Sequence, residues 1–278
     1  MFSNYGIGDF FAYKGTFASM GYTGQDYDGG GRTVYLLVSL VLLLALWIIF
    51  RKASRKTILI IIRVLAIAWV STYVIKTTWE TICDITIGPG QFNEGILPFD
   101  TCSIPMIAGF FAGFGKGRIK KMGEGWLALG TIVGGVSTLL FLKALIYYPF
   151  FSFGAFYSMF WHFAMVFLGV LLLVTNYVEL NMSMVLDAFL LHMLFSLIVI
   201  PFNYIRDYDF MLYRRAGGAP LLESLADKLH EQDLDFVTTI LMIATYFGLF
   251  VGITYFTKGV KALIGKIFYK KPPVQQNA

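Results

Sequence analysis

Apolar residues in this chain run in long blocks rather than alternating with polar ones. "VYLLVSLVLLLALWIIF", residues 34–50, is typical. An α-helix needs about 20 mostly apolar residues to cross the hydrocarbon core of a bilayer, and a spanning segment must satisfy its backbone internally. Seven blocks meet or approach that length: Val34–Phe50, Thr57–Lys76, Phe99–Phe114, Trp126–Tyr147, Phe156–Thr175, Met184–Phe202 and Val237–Phe256. The third is short and carries Gly109 and Gly113, and the fourth carries Gly130 and Gly134. Small residues four apart let helix backbones approach closely, so both read as helices buried among others. The pattern predicts an all-α polytopic membrane protein of seven transmembrane helices. Its divisions are an external N-terminal segment over 1–33, a membrane domain over 34–257 with an external loop at 203–236, and a basic cytoplasmic tail over 258–278.

Composition strengthens this reading. Hydrophobic residues make up 57% of the chain and charged residues only 14%, against about 25% charged in a typical soluble domain. The first 33 residues lack the basic start and apolar block of a cleavable signal. The formal charge is +5, but the cations sit between apolar blocks, where membrane topology explains them and nucleic-acid binding is not needed. Arg51, Lys52, Arg55 and Lys56 follow span one; Lys116, Arg118, Lys120 and Lys121 follow span three; Lys258, Lys261, Lys266, Lys270 and Lys271 follow span seven. In a seven-span count all three groups fall on one side. Cytoplasmic loops carry the excess of Lys and Arg, so the N-terminus is expected outside and the C-terminus inside. The loop from Ile82 to Pro98, with Asp84 and Glu94 but no cation, then faces out. A multi-pass protein of the cell membrane, in contact with lipid, follows; its oligomeric state does not. No Walker loop, dinucleotide fingerprint or repeat is present, and the glycines at 29–31 read as a linker. Within the polar stretch 202–236, "APLLESLADKL" has the spacing of a short amphipathic helix at headgroup level.

Ionisable residues inside spans point to function by default. Arg63, Lys76 and Lys143 lie near span ends, where long side chains snorkel to the surface. Asp187 and His192 share span six, five residues apart, a spacing that gives no pairing on one face. Cys102 and His162 differ, because the topology puts both near the outer face, about 6 Å apart in depth at 1.5 Å per residue. An imidazole that takes a thiol proton makes the thiolate nucleophile of acyl transfer. Asp100 and Asn203 lie at the same level, suited to orienting the imidazole or stabilising an oxyanion. Beside this stand two plainer readings: Cys102 as a small core residue with His162 a hydrogen-bonded neighbour, and a Cys83–Cys102 disulfide. The bridge is not expected, since Cys83 reads as a loop residue and Cys102 as part of a span.

Four motifs occur in order: "LPFDTCSIPM" at 97–106, "FWHFAMVFLGVLLL" at 160–173, "IPFNYIRDYDFML" at 200–212 and "APLLESL" at 219–225. Across about residues 57–256 this series resembles the YwaF-like integral membrane proteins of bacteria, which are related to a vertebrate transmembrane acyltransferase acting on lysophospholipids. The resemblance implies a seven-helix protein with a cysteine-dependent acyltransferase-like centre working on phospholipid or lysophospholipid acyl chains. It places Cys102 as nucleophile, His162 as base, and Pro201, Asn203 and Tyr204 in the turn that closes span six. Neither a metal nor another cofactor is implied. The chain departs from the family pattern at Asp100, where relatives carry histidine, and in span two, where many carry a mid-span glutamate. Two other classes stand beside this one: a non-catalytic lipid or small-molecule transporter or binding protein, and a seven-span sensor or assembly factor.

Overall fold

The structure is a computed structural model that describes residues 7–13, 16–17, 32–87, 96–141, 148–149, 151–216 and 222–268. Glu94, Lys143, Lys270 and Lys271 lie outside the described residues. Among the described residues there are eight α-helices and no strand: α1 (Arg32–Phe50), α2 (Arg55–Ile87), α3 (Ile104–Phe114), α4 (Gly117–Phe141), α5 (Phe153–Val174), α6 (Met182–Arg206), α7 (Glu223–His230) and α8 (Asp235–Phe268). Local chemistry sets several of their ends. Ser152 accepts the Ala155 N–H to cap α5, and Asn181 accepts the Met184 N–H at 2.9 Å to cap α6. Pro105 falls in the first turn of α3, where its missing N–H had no helical partner. Gly117, at φ +58°, takes the left-handed conformation that lets α4 start after a two-residue connection from α3.

Five helices, α1, α2, α5, α6 and α8, are long and apolar enough to cross a membrane. The other two expected spans differ for physical reasons. α3 has 11 residues, about 16 Å of helix against a core of about 30 Å, and a 3-10 turn, Thr101–Ser103, leads into it. α4 runs for 25 residues, but its first turns hold Arg118, Lys120, Lys121 and Glu124. It is nonetheless the centre of the bundle, packing on α3, α5 and α6. Glycines make this possible. A Cβ on Gly109 would approach the Ala66 Cβ of α2 to 2.8 Å, and one on Gly123 would meet Ala108 O and Ala112 N of α3 at 2.5 Å.

Several expected boundaries move. Span two does not stop at Lys76; α2 continues to Ile87 because Lys76 is paired with Glu80 one turn on, at 2.6 Å. An acidic residue and Cys83 therefore lie in this helix rather than in a polar loop. The basic stretch 116–121 is mostly the first turn of α4, not a loop, because Arg118 is held by Asp187 of α6 at 3.1 Å. Arg63 is also satisfied within the bundle, through its Nε donating to Gly113 O at 2.8 Å. At the far end α8 continues to Phe268, so Lys258, Lys261 and Lys266 ride on a helix.

Cross-bundle contacts fix which helix ends lie together. Arg55 at the start of α2 stacks on Tyr177 beyond α5, with 4.6 Å to the ring centroid. Lys261 of α8 donates to Leu173 O at 2.5 Å and Asn176 Oδ1 at 2.6 Å. With the Arg118–Asp187 pair, these place the starts of α2, α4 and α6 and the ends of α5 and α8 at one end of the bundle. At the opposite end, Trp79 of α2 packs on Phe153 of α5 with centroids 4.9 Å apart, and donates to Phe11 O at 2.8 Å. The Phe153 N–H donates to Phe10 O at 2.8 Å, so the N-terminal stretch around Phe10 is docked there.

Candidate functional site

Cys102 lies at the end of the bundle opposite Arg55 and Arg118, in the 3-10 turn that opens α3. Its thiol is half-buried, and no disulfide joins it to Cys83. The turn has no side-chain cap; its own closure is the Ser103 N–H on Asp100 O at 2.8 Å. Two side chains from other helices hold it. From α5, the Trp161 indole N–H donates to Cys102 O at 2.7 Å. From α8, the Tyr246 hydroxyl bonds Thr101 Oγ1 at 2.8 Å. Around Trp161 the rings of Trp69, Tyr73 and Tyr157 gather at 6.3, 6.1 and 5.3 Å between centroids, giving the turn an aromatic wall. Asp100 stands exposed two residues before the thiol.

His162 follows Trp161 on α5 and is buried. Its Nδ1 lies 2.7 Å from Ser158 O. A carbonyl only accepts, so Nδ1 carries the proton and Nε2 presents a lone pair. Nε2 makes no hydrogen bond among the described residues. No hydrogen bond joins Cys102 to His162; Trp161 links them, touching the Cys102 carbonyl and preceding His162 in the chain.

Asn203 is fully buried, and its amide is committed elsewhere: Nδ2 donates to Phe210 O at 2.8 Å and Oδ1 accepts the Phe210 N–H at 3.1 Å. This clasp folds the segment after α6 back so that Phe210 packs edge-on against Phe99, with centroids 5.6 Å apart. Asn203 thus meets the cysteine-bearing segment through Phe210 and Phe99, and neither amide group bonds the imidazole. Tyr204 is exposed on the other side of α6, its hydroxyl 3.0 Å from Thr239 Oγ1 and its ring under Arg214.

An ion cluster locks the hairpin that follows. Arg214 donates to Asp235 at 2.8 Å through Nε and 2.5 Å through Nη2, and also to Asp207; Asp209 Oδ1 accepts the N–H groups of Arg214 and Arg215 at 2.7 and 3.0 Å. The Arg214 bond, then the Arg215 charge, hold the Asp207 carboxyl below its ordinary range. For Arg214, burial opposes the charge, and the bonds to Asp235 and Asp207 outweigh it, raising its affinity for the proton. These bonds hold Met211 and Leu212 at φ 58° and 61°, a left-handed conformation unfavourable to their side chains.

Sequence reasoning missed the second buried histidine's partners. Ser196 donates to His192 O at 2.8 Å, lies 2.5 Å from the Tyr213 hydroxyl, and that hydroxyl lies 3.1 Å from His192 Nε2. Three contacts need three protons, so His192 Nε2–H donates to Tyr213, Tyr213 to Ser196, and Ser196 to the carbonyl. Nδ1 is then an acceptor, buried and without a partner. The His192 ring lies 4.3 Å from the Tyr246 ring, between centroids. The sequence signal for such partners is weak but physical: Tyr213, Tyr246 and Trp161 carry polar atoms that an apolar setting obliges to find an acceptor or donor. Among the described residues, no group of three or more His, Cys, Asp or Glu is placed to hold a metal ion.

A family model described as the TMEM164 family matches residues 30–251. No curated protein matches the chain, and no solved structure does. The match covers most of the sequence and all the helices described above except the end of α8, and the chain belongs to the TMEM164 family, a family of transmembrane proteins.

Proposed function

We propose that this member of the TMEM164 family is a membrane-embedded acyltransferase that moves acyl chains between phospholipids and lysophospholipids, with Cys102 as nucleophile and His162 as base. One observation carries the reading. The free Cys102 thiol sits on a turn bonded to Trp161, and the next residue, His162, has Nδ1–H fixed on a backbone carbonyl and Nε2 unbonded. An imidazole anchored at one nitrogen and open at the other is how a histidine base is presented to a nucleophile.

In the reaction, Nε2 takes the proton from Cys102 Sγ, and the thiolate attacks the carbonyl carbon of a phospholipid ester. The acyl C–O bond breaks, the imidazolium returns the proton to the departing alkoxide, and a lysophospholipid leaves while the acyl group stays as a thioester. A second lysophospholipid hydroxyl, deprotonated by Nε2, attacks the thioester; the C–S bond breaks and the thiol regains its proton. Acyl donor and acceptor exchange one chain, so no oxidant, nucleotide or metal enters the balance. The aromatic wall of Trp69, Tyr73 and Trp161 beside the half-buried turn limits the approach of water to the thioester from that side.

The same reading counts α3 and α4 as spans three and four. It sets the basic end in the cytoplasm, following the positive-inside rule, and Cys102 toward the outer leaflet of the cell membrane. The support is that Arg55, Arg118 and Lys261 all lie at one end of the bundle.

The test uses the purified full chain in phosphatidylcholine vesicles with isotopically labelled lysophosphatidylcholine, following label in the diacyl product. Cys102→Ser and His162→Ala each abolish exchange, and the double variant loses little more than either, because groups acting as a unit are non-additive. Exchange that persists in Cys102→Ser, with vesicle binding intact, returns the protein to the lipid-binding class.

A further inference from the structure

Cys102 is placed by helices distant from it in sequence, and the α8 contact reaches beyond the site. Tyr246 is buried, with its hydroxyl 2.8 Å from Thr101 Oγ1 and 3.4 Å from Met211 O. The Met211 carbonyl only accepts, so Tyr246 donates to it and receives the Thr101 proton. Met211 belongs to the strained turn Phe210–Leu212, held by Asn203 and by the Arg214 cluster. Behind Tyr246, the His192 ring at 4.3 Å is fixed by Tyr213 and Ser196, which leaves the phenol little room to turn. One hydroxyl therefore joins three separate parts of the chain: the cysteine turn, α8 and the outer hairpin.

We infer that Tyr246 is a positioning residue for Cys102: it pins the Thr101–Ser103 turn from the α8 side, opposite the Trp161 bond from α5, and so couples the nucleophile's placement to the outer hairpin. The inference rests on the proposed role of Cys102 only for its catalytic consequence. The placement itself is read out by thiol chemistry.

Full-length protein in detergent micelles is treated with iodoacetamide, and alkylation of Cys102 and Cys83 is followed separately by peptide mass spectrometry. Tyr246→Phe removes the hydroxyl and keeps the ring. The loosened turn makes Cys102 react faster by about two- to tenfold, the range a single net hydrogen bond controls, while Cys83 in α2 stays within about twofold. Thr101→Val removes the same bond from a half-buried position, giving the same change without touching the core, and serves if Tyr246→Phe does not fold. The double variant reacts no faster than Tyr246→Phe alone, because the contact that Thr101→Val deletes is already lost with the Tyr246 hydroxyl. In the vesicle exchange assay the variants lower kcat and leave KM for lysophosphatidylcholine unchanged, a split that general loss of packing does not produce. Equal acceleration at both cysteines, an unchanged Cys102 rate, or additive effects of the two substitutions overturns the inference. Exchange that survives in Cys102→Ser while Tyr246→Phe still alters Cys102 alkylation overturns the catalytic reading and leaves the positioning intact.

Discussion

α1 and α4 are both long helices of the bundle, and they reverse the rule learned from soluble proteins. α1 is the more continuously apolar, yet only 11% of its apolar window is buried within the protein, and Leu37, Val41 and Ile49 face outward. α4 is interrupted by glycine and opens with cations, yet every residue from Gly125 to Thr131 is buried. In water the most hydrophobic helix goes to the core. In lipid the surroundings are as apolar as leucine, so long side chains gain nothing by turning inward. The interior goes to helices whose small residues allow backbones to touch, where dispersion contacts are densest. Apolarity along this chain therefore reports contact with lipid, and glycine spacing reports contact with protein.

That contrast can be broken by substitution. The largest effect is expected at Gly123, where a Cβ would sit 2.5 Å from two backbone atoms of α3 that have no room to yield. Gly123→Val should cost about 3 kcal/mol or more and lower the midpoint of denaturant unfolding in micelles accordingly. A midpoint within error of the parent would mean that α3 and α4 do not pack as described. Next comes Arg118→Ala at the foot of α4. It leaves the Asp187 carboxylate, largely buried, without its cation; because Arg118 itself is mostly exposed, the expected loss is about 1 kcal/mol, read in the same unfolding assay. On the lipid-facing side, Val41→Ala in α1 should change stability by less than about 0.5 kcal/mol, and a loss comparable to Gly123→Val would show that α1 has a protein partner. The smallest effect concerns the solvated hairpin. The folded Asp207 carboxyl titrates below the unfolded value, so its contribution is present above about pH 4 and fades as pH falls through the lower, folded value. Amide exchange over 207–216 should stay slow from neutral pH to about 5 and quicken below 4, after correction for the intrinsic exchange rate; Asp207→Asn should already show the low-pH protection at neutral pH.

Much of the fold was legible because lipid imposes simple constraints. Length and apolarity pick out α1, α2, α5, α6 and α8 directly, and glycines four apart correctly mark α3 as a buried helix. The short amphipathic stretch before Asp235 is realised as α7, with Ala226 buried. The boundaries were less legible, for an electrostatic reason. Lys76 and Arg118 look like markers of helix ends, but the i,i+4 pair with Glu80 and the cross-bundle pair with Asp187 let helix continue past both. Of the candidate site residues, Cys102, His162 and Asp100 could be named from the motifs alone. Nothing local revealed that Asn203 would give its whole amide to Phe210, since that depends on a left-handed turn at Asp207 that reverses the chain.

The sequence by itself determined that the chain is helical and lives in a membrane, because backbone satisfaction in lipid and the cost of burying charge are properties of composition and order. Only the tertiary structure decided what surrounds each polar atom. Trp161, Tyr246 and Tyr213 are far from Cys102 and His192 in sequence, and an unmet N–H or O–H in an apolar bundle has no water to turn to. Its partner is whichever acceptor the packing of other helices brings within 3 Å, and no local pattern records that choice.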